Sequence, residues 1–168
     1  MTTIERGFPP LHAEVVPTLG AWLDFYRATL IGKCEGLTEE QLRTATVPPS
    51  PLTLLGLLRH LAAVERQWFR IVLAGEDVEK LHGIEDGTGH DGGFALDDTG
   101  FDEARVAWTA EVEHARRICA ELDPDATGSL CGAPVSVHWV LTHMIAEYAR
   151  HCGHADLVRE RLDGSTGV

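Results

Sequence analysis

Apolar residues recur along most of this chain at the three-to-four-residue spacing of one helix face, and four stretches carry the pattern. In the first, Leu19, Trp22, Leu23, Tyr26, Leu30 and Ile31 repeat in this way, with Asp24, Arg27 and Lys33 among the polar positions. A helix is expected from about Glu14 or Thr18 to Cys34, because Pro17 fits only a first turn and Gly36 supplies a stop. Thr38-Glu39-Glu40-Gln41 reads as a capping box opening a short helix to about Arg43. After Pro48, Pro49 and Pro51, a second long helix is expected from Leu52 or Thr53 to Ala74. Its apolar side is Leu54, Leu57, Leu58, Leu61, Val64, Trp68, Ile71 and Val72, and Arg59, Arg66 and Arg70 gather on the other.

A third helix is expected from Phe101 or Asp102 to Leu122, with Val106, Trp108, Val112, Ala115, Ile118 and Cys119 as core candidates. The fourth spans Val135 to Leu162 and aligns Val137, Val140, Met144, Tyr148, Ala155, Val158 and Leu162 on one face. Residues 1–13 read as an extended arm, and 164–168 as a tail. From Gly75 to Gly100 periodicity gives way to glycine and acids, so a long loop is expected. A segment of that kind is a functional element or a plain crossover strap, and His82 and His90 within it read as solvated. The polar connection through Gly128, Gly132 and Pro134 shows no alternation long enough for a sheet. The pattern therefore predicts an all-α fold, a four-helix bundle, as one domain over residues 1–168.

The chemistry begins where ionisable residues interrupt an apolar face. His151 falls in the middle of the fourth helix's face, Glu147 lies one turn earlier at its edge, and His143 and His154 flank them. On the second helix, His60 sits at the boundary of the apolar side and Glu65 lies within it. A buried carboxylate or imidazole is costly unless a partner, a proton or a metal satisfies it. His60, Glu147 and His151 together offer three ligands from two helices, suited to a first-row divalent metal, with zinc favoured and nickel or iron alternatives. Three protein ligands leave a coordination position open, as in catalytic sites. Glu65, His143 and His154 are candidates for supporting or proton-transfer roles, and no catalytic residue is assigned.

Composition narrows the field. A formal charge of −12 on 168 residues, with no basic stripe, argues against nucleic acid. Charged residues interrupt every apolar run before a membrane span is reached, and the first residues lack a secretory pattern, so a cytoplasmic protein is expected. Cys34, Cys119, Cys131 and Cys152 are scattered without a Cys-x-x-Cys, which fits reduced thiols acting as small buried or half-buried residues.

Two segments also resemble a known family. TLLGLLRHLAAVERQWF resembles the second-helix signature of the DinB-like superfamily (the YfiT-like metalloenzymes), and AEYARHCGHADLVRE resembles its fourth-helix signature. The resemblance covers residues 18–162 and implies a four-helix bundle, often a homodimer, holding a divalent metal. Carried over position by position, its ligands are His60, Glu147 and His151, the set that the face analysis selects independently. The superfamily includes mycothiol-dependent maleylpyruvate isomerase and bacillithiol S-transferases, in which a metal activates a low-molecular-weight thiol. The resemblance thus implies a metal-dependent enzyme that uses a mycothiol-like thiol for S-transfer or isomerisation of an electrophilic small molecule. Two alternatives stay open: a non-catalytic metal- or small-molecule-binding bundle of a stress-response type, and a structural bundle in which Glu147 pairs with an arginine or with His151.

Overall fold

The computed structural model describes residues 6–81, 92–123 and 125–167; His82 and His90 lie outside them. The chain is mostly helical. Helix α1 spans Val15–Cys34, α2 Glu39–Leu42 and α3 Leu54–Glu65, which continues as a π-helical segment over Arg66–Leu73. Helix α4 spans Phe101–Glu121 and α5 Val137–Asp163, preceded by a two-stranded hairpin of β1, Thr127–Leu130, and β2, Ala133–Ser136. Helix α1 packs chiefly on α5 and α3 chiefly on α4.

The helix ends follow local chemistry. Pro17 sits in the first turn of α1, and Gly36 (φ +74°) lies just past its end. The Arg159 guanidinium donates to the carbonyls of Lys33 and Glu35, satisfying acceptors left open there. The capping box of α2 forms as expected: Gln41 N–H donates to the Thr38 hydroxyl and Thr38 N–H to the Gln41 side chain. Thr53 caps α3, Ser136 caps α5, and Gly164 (φ +79°) ends α5.

The core collects Leu23, Leu30, Leu54, Leu57, Leu58, Leu61, Phe69, Trp108, Val140, Met144 and Tyr148, all nearly inaccessible. Val106, expected in the core, is instead 66% exposed, because the buried stripe of α4 runs through Ala104, Trp108, Glu111, Val112 and Ala115. The arm packs on α1 through Phe8, which meets the edges of Trp22 and Phe25.

Two features depart from expectation. The second helix is not regular to its end: from Arg66 its bonds lengthen to the i−5 pattern, as in Ala74 N–H to Phe69 O. No proline or glycine interrupts it there. The widening coincides with close backbone contact from the hairpin, where a Cβ on Gly128 would overlap the Val72 carbonyl oxygen. The hairpin itself is the second departure. Its strands are four residues each, joined by Cys131-Gly132 with positive φ at both positions, the backbone a two-residue turn requires. Cys131 is accordingly exposed rather than buried, whereas Cys34 and Cys152 are buried as expected, their thiols pushed up to about 12 by burial.

Candidate metal centre

Row after row of α5 faces inward at intervals of four residues, and this places Glu147 directly one turn before His151. Both are buried, at 8% and 5% exposure. His60 reaches the same point from α3, four residues beyond Gly56. His151 Nε2 lies 3.1 Å and His60 Nε2 3.3 Å from the same carboxylate oxygen, Glu147 Oε1. One ligand atom from each of the three residues falls within 4.8 Å of the others, a spacing that can hold a metal ion.

The hydrogen bonds around this trio decide which atoms face its centre. His60 Nδ1 is 3.1 Å from the Gly92 carbonyl oxygen, which can only accept, so Nδ1 carries a proton, and in the neutral imidazole Nε2 presents a lone pair. That lone pair confronts the Glu147 carboxylate, a contact between acceptors that requires a cation or an extra proton between them. A backbone carbonyl on the remote nitrogen is also the support that metal-bound histidines commonly have. Donor atoms on one zinc-like ion at bond lengths of about 2.0–2.1 Å in a tetrahedron are about 3.3 Å apart, close to the two histidine-to-carboxylate separations. The residues therefore fit a divalent metal.

Electrostatics agree with this donor set. Contacts with His151 and His60, with the Arg150 charge adding to them, hold the Glu147 carboxyl well below the usual range, so it is an anion. Burial pushes His151 down, which favours the neutral imidazole that ligation needs. His154 Nδ1 lies 3.3 Å from His151 Nδ1, on the side away from Glu147. The other Glu147 oxygen, Oε2, accepts from Arg150, an exposed side chain. This is the arginine contact that a structural pairing of Glu147 would use, and a cavity of about 190 Å³ borders His60 beside it.

Part of the long loop closes over α3. Phe94 stacks on the His60 ring, with centroids 4.2 Å apart and planes at 16°. Gly92 adopts φ +41°, and a Cβ there would stand 3.1 Å from His60 Nδ1, so a side chain would be strained and would crowd the imidazole. Gly56 likewise allows the Phe94 carbonyl to lie close to α3. Arg59 fastens the strap by pairing with Asp97, and Arg43 donates to the carbonyls of Asp97 and Thr99. Residues 92–99 thus support the trio, a role that no periodicity in their sequence could announce.

The other ionisable candidates are elsewhere. Glu65, wholly buried, accepts two bonds from Arg27 (2.8 and 2.6 Å) and one from the Tyr148 hydroxyl (2.7 Å), which in turn accepts from Trp108 Nε1 (2.8 Å). It pairs with an arginine and, among the described residues, bonds to no histidine. His143 packs between Trp68 and Trp139, one turn before Glu147. Arg66 and Arg70 converge on Glu111, so the arginine side of the second helix faces α4.

Comparison with protein families matches residues 18–164 to the model of the mycothiol-S-transferase family. The chain belongs to that family. The match spans both helices that carry the trio, and it agrees with the DinB-like resemblance of those segments. A comparison with curated proteins finds no match. Among the described residues, no helix is long and apolar enough to cross a membrane.

Proposed function

We propose that this chain is a metal-dependent thiol transferase, with His60, Glu147 and His151 as the ligands of a divalent metal and a mycothiol-like thiol as its co-substrate. The single observation that carries this reading is the convergence of His60 Nε2 and His151 Nε2 on one Glu147 carboxylate oxygen in a buried trio, on a chain of the mycothiol-S-transferase family. The fold it rests on is read as a single four-helix bundle of the DinB-like type, its long helices being α1, α3 with its π extension, α4 and α5.

A divalent metal in this set would supply Lewis acidity, lowering the pKa of a coordinated thiol so that thiolate predominates near neutral pH. His60 and His151 contribute neutral imidazoles, and Glu147 contributes one negative charge. The Gly92 carbonyl fixes the His60 tautomer, and Phe94 covers one face of its ring, excluding water from that side. In the overall reaction the thiol gives up its S–H proton and an S–C bond forms at the electrophile. The leaving group departs with its electron pair.

The test is conjugation of mycothiol to monobromobimane by the zinc-loaded protein. The reading expects a rate well above the uncatalysed one, lost in His60→Ala, Glu147→Ala and His151→Ala while each variant keeps its helical circular dichroism. Retention of the rate in all three variants would overturn it.

A further inference from the structure

The cavity that borders His60 continues away from the trio along α3 and the π segment, past Ala63, Val64, Trp68 and Ile71, to Leu81. Its walls there are largely apolar, with Arg66 and Gln67 as polar members. The Trp68 indole is braced by His143, with centroids 4.4 Å apart, and by Trp139 at 5.3 Å. His143 and Trp139 are themselves stacked, with planes 8° apart, so the indole has a rigid backing. In a chain of net charge −12, no carboxylate is among the described lining residues, and Lys80 stands at the rim.

Volume and surface restrict what enters. An apolar cavity of about 150 Å³ accommodates benzene, so about 190 Å³ fits one substituted ring. A planar ring gains stacking against the Trp68 indole and apolar contact with Val64, Ile71 and Leu81. The cationic Arg66 and Lys80 in the lining suit an electron-poor ring, whose edge substituents carry partial negative charge.

We propose that this pocket is the electrophile subsite, and that the electrophile is a planar, electron-poor single aromatic or quinonoid ring seated between Trp68 and the His60 end of the cavity. This deepens the thiol-transferase reading and rests on it for the role of the bound ring.

The pocket can be tested without metal or thiol, using 1,3-dinitrobenzene, which has no leaving group and cannot be consumed. Equilibrium dialysis against chelator-treated protein should show saturable binding of one equivalent. Trp68→Ala, which removes the wall, and Ala63→Phe, which fills the cavity from a half-buried helix position, should each weaken it at least tenfold. Circular dichroism and thermal midpoints establish that both variants fold. Unsaturable uptake, or unchanged affinity in both folded variants, would overturn the proposal. Saturable, wall-dependent binding by a protein that conjugates no thiol would uphold the pocket and sink the thiol-transferase reading. Thiol conjugation of aliphatic electrophiles by a protein that does not bind the probe would do the reverse.

Discussion

Removing the carboxylate of Glu65 should be among the most damaging single changes in the core. Glu65 is 0% and Arg27 3% exposed, and the two share a bidentate pair at 2.6 and 2.8 Å. The Arg27 guanidinium is held further above its ordinary value by Glu65, against the opposing effect of burial, so it cannot shed its charge. Glu65→Ala leaves that cation buried with Asp24 alone, a partner 42% exposed and bonded through one nitrogen. Breaking a buried pair in this way costs about 3–5 kcal/mol. The Tyr148 hydroxyl also loses its acceptor, adding about 1 kcal/mol. At roughly 2–4 °C per kcal/mol for a chain of this size, the thermal midpoint should fall by about 10 °C or more. Urea unfolding of Glu65→Ala, Arg27→Met and the double variant checks this. The double variant should be more stable than Glu65→Ala, since no uncompensated charge remains. A loss below about 1 kcal/mol in Glu65→Ala, or strictly additive losses in the double variant, would refute the reasoning.

Other consequences follow from the strap and the trio. Asp97 is held below its ordinary value by hydrogen bonds from Arg59 and by Thr99, so it binds fewer protons folded than unfolded. Its contribution is complete above the unfolded carboxylate value of about 3.9 and is lost as pH falls through the lower folded value. The gap in urea midpoint between wild type and Asp97→Asn should therefore be constant above about pH 5 and shrink below about pH 4; a gap independent of pH would contradict this. His154→Ala, by removing the partner of His151 Nδ1, should weaken zinc affinity by about 10–100-fold in a chelator competition, with little change in apo stability. Unchanged affinity would show that His154 does not position His151.

The legible parts of this molecule are those written in local sequence. The buried face of α5 is Val137, Val140, Met144, Tyr148, Ala155 and Val158, as its spacing indicates, and Ser136 and Gly164 bound the helix. Glu147 and His151 could be seen as neighbours because four residues make about one turn, and His60 because it broke an apolar side. What could not be read depends on contacts distant in sequence. Arg27 looks like a surface residue until Glu65, 38 residues later, is brought beside it. Gly92 and Phe94 lie in a stretch without periodicity, and their value comes only from lying against His60. The π segment arises where the hairpin backbone meets Val72, which no propensity records. The hairpin left one usable trace, a glycine at the second position of a two-residue turn, but its four-residue strands are too short for alternation to show.

The central claim is that His60, Glu147 and His151 hold a metal, and elemental analysis of untagged protein tests it most directly, comparing wild type with His151→Ala after incubation with zinc and removal of excess ion. The account predicts close to one equivalent of metal in wild type and almost none in the variant, with both proteins folded. Metal-free wild type, or equal metal in the two proteins, would contradict it.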